Sequence, residues 1–353
     1  MPTVIDTDSK IIQPRLWCFG GTPVKSYGTN QLYACHLTNV NEYEVHWFNG
    51  TVWALSATFT DLGMDSGSIA ISELGDVFFC YQYTVVSRGN LKVKKRDHIT
   101  GLWTEVLNYT GIPDSSTNPP NPHITYSRFE NKLVVSCGYH DGGGVHQVRT
   151  WYSTDYGNTF TPTLHTIVGG QNPPQYTSMW NLDTDPSNGD IWFMYQYYNN
   201  SPLGYSWGLW KQDKDGASPG APYYEMTATN IKAGAMLLDS SGNKVYAVYR
   251  ENGGNYWLSA YRNLGSTTNL AGGGTTPFIY DGMMAMGRDN SDNIYLFYVR
   301  IDDGLVHYRK YDFVGASWGA EQALSPGQAR RVGADQNPSP ANPRVNVVYY
   351  TSV

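Results

Sequence analysis

Six segments of this chain repeat one pattern: a strand of small residues, a polar turn, then a strand rich in aromatics. They are SGSIAISELGDVFFCYQY (66–83), HITYSRFENKLVVSCGYH (123–140) and YTSMWNLDTDPSNGDIWFMYQYY (176–198), then AGAMLLDSSGNKVYAVYR (233–250), GMMAMGRDNSDNIYLFYVR (282–300) and RRVGADQNPSPANPRVNVVYY (330–350). A partial copy, QLYACHLT, occupies 31–38. The aromatic strands begin near residues 31, 77, 133, 191, 245, 294 and 345, a period of roughly fifty residues that marks a repeat architecture.

Two further strands follow several of these units, joined by a turn that ends in an aromatic residue: EVHWFNGTVW (44–53), KKRDHITGLW (94–103) and YRKYDFVGASW (308–318). Four strands per repeat predict an all-β fold, a β-propeller of seven blades, with six as the alternative because the first repeat is the least regular. The last repeat supplies two strands, so residues 1–15 are expected to complete its blade and close the ring, protecting the sheet edges. No linker divides the chain, and residues 1–353 read as a single domain. Composition agrees: 28 tyrosines and 11 tryptophans favour strands, while 37 glycines supply turns.

Charge and cysteine usage exclude several classes. The net charge is −6, with no basic run, which argues against nucleic acid as a partner. No apolar run approaches the roughly 20 residues of a membrane span. The start, MPTVIDTDSKIIQP, lacks the regions of a signal peptide. The expectation is an extracellular or virion-associated protein, either expressed without its leader or released by lysis as part of a virion, with an intracellular protein as the alternative. Cys18, Cys35, Cys80 and Cys137 show no metal-ligand spacing; the last three sit in apolar strand runs and read as small core residues. No cofactor or metal is required by the sequence, and it leaves the oligomeric state open.

One turn is more specific. Ser153–Thr154–Asp155–Tyr156–Gly157–Asn158–Thr159–Phe160 fits S-x-D-x-G-x-T-[WF], the Asp-box pattern of BNR repeats. Its aspartate accepts hydrogen bonds inside a hairpin, its glycine permits a left-handed turn, and its aromatic packs between sheets. Asp97–Trp103 and Asp312–Trp318 read as degenerate copies. Asp155 is therefore structural, away from any ligand face.

In a propeller the start of the first strand and the end of the second strand of every blade share one face. That rule gathers His123, His140, Tyr176, Gln196, Lys232, Arg250, Asp281, Arg300, Arg330 and Arg331. Glu130-Asn131 turns the hairpin between the two histidines, which is expected to return His140 to the same end of the sheet as His123. Arginine binds carboxylates in a bidentate fork, and histidine and tyrosine move protons when their surroundings tune them. This set suits an acidic sugar. His46, His98, His165 and His307 fall in outer strands or loops and read as structural; His146, in DGGGVHQ, is either a ligand contact or without role.

The stretch HITYSRFENKLVVSCGYH followed by QYTSMWNLDTDPSNGDIWFMYQYY resembles the seven-bladed polysaccharide lyases that cleave ulvan, most clearly over residues 120–200. The resemblance implies β-elimination on a uronate-containing acidic polysaccharide, with His123 and His140 as the histidine pair, Tyr176 as the tyrosine, and an arginine that neutralises the uronate. Where the family often carries that arginine this chain has Gln196, so Arg250 is the substitute, with Lys232, Arg300 and Arg331 as further substrate-binding residues. Two other readings stand beside it. A sialidase-like hydrolase is suggested by the Asp-box pattern and scattered arginines, and a glycan-binding propeller, lectin or phage receptor-binding, needs no proton chemistry.

Overall fold

The structure, a computed structural model, describes residues 24–27, 31–39, 41–64, 66–85, 88–113, 121–127, 129–140, 146–168, 177–200, 203–214, 224–226, 230–263, 267–324, 327–335 and 345–351. For some strand residues, His140, His146, Gln196 and Arg331 among them, only the backbone is described. Cys18, Tyr176 and the ring-closing segment 1–15 lie outside the described residues.

The described chain is all strand and turn, in seven consecutive sheets. The first holds β1 (Val24–Tyr27), β2 (Gln31–Asn39), β3 (Glu42–Phe48) and β4 (Trp53–Thr60); the second β5 (Gly67–Ile71), β6 (Val77–Val85), β7 (Arg88–Arg96) and β8 (Trp103–Pro113). The third holds β9 (His123–Ser127), β10 (Lys132–His140), β11 (His146–Ser153) and β12 (Thr161–Val168). β13 (Thr177–Thr184), β14 (Ile191–Asn200), β15 (Leu203–Gln212) and β16 (Tyr224–Met226) make the fourth. β17 (Asn230–Leu238), β18 (Lys244–Asn252), β19 (Asn255–Arg262) and β20 (Thr268–Gly274) make the fifth. The sixth holds β21 (Ile279–Arg288), β22 (Ile294–Arg300), β23 (Val306–Asp312), β24 (Ser317–Trp318) and β25 (Gln322–Ala323); the seventh shows β26 (Ala329–Ala334) and β27 (Val347–Thr351).

Every sheet is an antiparallel meander, and its second strand is the aromatic strand of the repeat. Alternation along these strands turns the apolar residues to both faces, so the core lies in the seams between consecutive sheets. Phe79 and Tyr81 join Tyr33, Tyr43 and Phe59 between the first and second sheets. Phe78, Cys80, Leu133, Val135 and Trp151 fill the next seam, Val134, Phe193 and Trp210 the third, and Trp192, Met236 and Tyr246 the fourth. Tyr249 and Tyr298 anchor the fifth seam, and Phe297 with Ala334 the sixth. Cys35, Cys80 and Cys137 are buried in these seams, as their sequence context predicts; burial pushes all three thiols up in pKa.

First strands of successive sheets run side by side and parallel. Ile124 N, near the start of β9, donates to Ser68 Oγ near the start of β5 at 3.3 Å. Asn181 Nδ2 donates to Met236 O at 2.7 Å, and two residues on Leu238 N donates to Asp183 Oδ2 at 2.8 Å. Gly287, late in β21, lies against Ala334 at the end of β26. All first strands therefore begin at one end of the molecule, where the second strands end.

The opposite end is closed by Asp-led turns between first and second strands. Asp239 Oδ1 accepts from Ser241 N and Asn243 N, both at 2.9 Å. Asp289 Oδ1 repeats this with Ser291 N at 2.9 Å and Asn293 N at 3.0 Å. Asp185 Oδ1 accepts from Ser187 N at 2.9 Å. The DSSGN and DNSDN segments carry these turns in plain sight; each carboxylate holds backbone donors that the strands leave over.

Candidate functional site

The end where first strands begin gathers the sequence-selected residues. His123 opens β9, Lys232 is the third residue of β17, Arg250 lies two residues before the end of β18, and Arg300 closes β22. By backbone position His140 closes β10, Arg331 lies early in β26, and Gln196 falls in the outer half of β14. Tyr176 immediately precedes β13 but is outside the described residues.

The ladder does not bring the two histidines together. His123 lies opposite Ser136, and His140 stands four residues further along β10. At about 3.4 Å per residue that is roughly 14 Å of strand. Both backbone positions lie toward the end of the sheet where first strands begin, His140 further out along its strand than His123. β9 cannot reach further back because Pro122 precedes it and proline has no amide to give the ladder. β10 instead continues with β11, where His140 is the direct partner of His146. In the backbone ladder the paired histidines are 140 and 146, and H-DGGGV-H, a short glycine-rich stretch flanked by histidines, is the sequence signal for it.

His123 itself is 2% exposed. Its row across the sheet continues through Ser136 to Thr150, whose hydroxyls are 2.8 Å apart. Alternation places this row on the face that carries Val134 and Val148, the seam toward the fourth sheet.

Arg250 and Lys232 are half-buried. Arg250 is the partner of Ile231 across the ladder, and Ile231 packs with Trp192, Met194 and Val248 in the seam between the fourth and fifth sheets. A bulge between Ile231 and Ala233 sets Lys232 out of the regular pairing.

Arg300 differs. Its Nη1 donates to Glu321 Oε1 at 2.6 Å, and its Nη2 and Nε donate to Asp302 at 2.5 and 2.8 Å. Those bonds raise the arginine's pKa, Asp302 first. Tyr298 donates its hydroxyl to Glu321. Burial works to raise the Glu321 pKa, but Tyr298 and Arg300 prevail and hold it below the usual range. Burial, and then Glu321, push the Tyr298 phenol upward. A nucleophilic phenol needs the reverse, and Tyr298 is fully buried.

Asp155 lies between β11 and β12, in the turn to an outer strand. Its Oδ1 accepts from Asn158 N at 3.0 Å and Thr159 N at 2.9 Å, and Gly157 N donates to Ser153 Oγ at 2.8 Å. Burial opposes its charge, yet hydrogen bonds from Ser153, Thr159 and Asn158 bring its pKa down to about 2. Asp97 likewise accepts from Thr100 N at 2.7 Å and Ile99 N at 3.0 Å.

No family model matches this chain, and no curated protein matches it. Among solved structures, a polysaccharide lyase of the PL25 ulvan lyase family, bound to -[GlcA(1-4)Rha3S]-, is similar over 91% of this chain and 86% of its own, with a TM-score of 0.61 and 11% identity. An α-L-arabinanase from Penicillium chrysogenum complexed with arabinobiose covers 81% and 92%, with a TM-score of 0.52 and 11% identity. An α-L-arabinofuranosidase from Fusarium graminearum covers 79% and 88%, also at 0.52 and 11%. At such identities the likeness shows the fold: all-β and propeller-type.

Proposed function

We propose that this chain is a carbohydrate-active propeller that cleaves a uronate-containing acidic polysaccharide by β-elimination, at the end where its first strands begin. The observation that carries the reading is the convergence at that end of histidines, a lysine and arginines from the third to the seventh sheets. The structural likeness to enzymes that work on polymeric sugars supports it. We propose further that seven sheets form a closed ring, with residues 1–15 completing the seventh.

Elimination needs three things: the uronate carboxylate neutralised, the adjacent proton removed, and the leaving oxygen protonated. Arg250, on the strand edge nearest the fourth sheet, neutralises, assisted by Gln196 and Lys232. His140, on the β10–β11 hairpin opposite His146, takes the proton, and Tyr176 delivers one to the leaving oxygen. His123, too buried to meet a polymer, positions the third sheet. Arg300 is already neutralised by two carboxylates, so its part is structural.

Product masses test this directly. Elimination yields an unsaturated end lighter by one water than the hydrolysis product. Unsaturated fragments that vanish in His140→Ala and Tyr176→Phe, with glycan binding kept, support the proposal; saturated fragments support a hydrolase instead. That second reading is favoured by the arabinanase and arabinofuranosidase neighbours. Its sialidase form is disfavoured by the burial of Tyr298, the described tyrosine paired with Glu321. Binding without any fragment would leave the lectin or receptor-binding reading.

A further inference from the structure

The first sheet carries a cluster unrelated to the sugar chemistry. His36 on β2 lies directly opposite Glu44 on β3, and His46 follows two residues later, opposite Ala34. Their neighbours Cys35, Tyr43 and Val45 point into the seam with the second sheet. Alternation therefore sets His36, Glu44 and His46 together on the other face. The two imidazoles stack with centroids 5.0 Å apart and 25° between planes.

Both rings direct Nε2 at one carboxylate oxygen. His46 Nε2 is 2.9 Å from Glu44 Oε2, and His36 Nε2 is 3.7 Å from the same atom. One ligand atom from each of the three residues lies within 4.8 Å of the others. The residues are 8%, 8% and 7% exposed in the order His36, Glu44, His46. Bonds of about 2.0–2.1 Å to a tetrahedral ion set neighbouring ligand atoms roughly 3.3–3.4 Å apart. The observed pair of distances brackets that value.

We infer that His36, Glu44 and His46 form a binding site for a divalent transition metal of the zinc class. Two neutral imidazoles and one carboxylate are the donors borderline-soft cations take, and a cation answers the cost of burying Glu44's charge. The arrangement is prepared by the strands, since a cross-strand pair and its diagonal neighbour are the closest triplet an antiparallel ladder offers. Two bulges fix its surroundings. One lies between Leu37 and Asn39 in the β2–β3 ladder, and the other is where β3 meets β4, beside His46. Such irregularities re-aim side chains and recur beside sites. Three protein ligands leave a fourth tetrahedral position for water. The site sits near the end where second strands finish, yet on the first sheet, apart from the third to fifth sheets that carry the proposed sugar chemistry.

The full chain, stripped with chelator and dialysed against zinc or cobalt ion alone, is expected to retain one ion per chain. The cobalt form should show the visible absorption of a tetrahedral site. X-ray absorption of the wild-type zinc form should show two imidazoles and one oxygen ligand from protein. Glu44→Gln, the variant that changes shape least, should weaken retention at least tenfold, and His36→Ala and His46→Ala should abolish it. Failure of the wild type to retain either ion overturns the site. So does a coordination shell without imidazole, or unchanged affinity in all three variants. The wild-type readouts decide the matter even where a variant does not fold.

Discussion

Asp155 shows how much one side chain does in a turn. It is ionised against burial because backbone and hydroxyl donors converge on it. Its folded pKa, about 2, lies below its ordinary value of 3.8. The stabilisation is therefore full above the ordinary value and is lost as pH falls toward about 2. Asp155→Ala should cost about 1–2 kcal/mol at neutral pH, in line with losing a side-chain cap on backbone donors. In denaturant melts the wild type and the variant should converge between pH 4 and pH 2. A constant gap down to pH 2 would contradict this. Arginines separate in the same way: Arg250→Gln should raise KM for polysaccharide several-fold with the melting point kept, whereas Arg300→Gln should lower the melting point and spare KM. Kinetics paired with thermal melts check both.

Among strands and turns, the seams decide. Gly157 has φ +78°, and a Cβ there would stand 2.4 Å from Phe78 Cε1 of the neighbouring sheet. Gly157→Ala meets both backbone strain and a core ring, and should cost about 1–3 kcal/mol; calorimetry reads it. The strand starts were legible in the sequence because turn residues and aromatic runs alternate at a fixed period: the second strands begin at Gln31, Val77, Lys132, Ile191, Lys244, Ile294 and Val347. Pairing register was less legible. A hairpin from 123 to 140 looks symmetric about Glu130-Asn131, yet Pro122 stops β9 while β10 runs on with β11. The His36–Glu44–His46 triplet was hidden for a related reason. Its members are spaced eight and two apart, with no recognisable metal spacing, and only the β2–β3 register makes them neighbours.

For the molecule as a whole, parallel first strands put their own starts at one end and the Asp-led turns between first and second strands at the other. That asymmetry makes one end a scaffold of carboxylates that hold turn backbone and sets histidine, lysine and arginine positions of several sheets toward the other. If residues 1–15 complete the seventh sheet as proposed, deleting them should lower the thermal midpoint and broaden unfolding; an unchanged melt would refute closure by that segment. Ultraviolet absorbance during incubation with a panel of acidic polysaccharides is the most direct test of the proposed β-elimination. β-Elimination leaves a conjugated double bond that absorbs where the substrate does not. A steady rise is expected on at least one uronate-containing polymer, abolished in His140→Ala and in Tyr176→Phe. A flat trace on all of them, or a rise that survives both substitutions, contradicts the proposal.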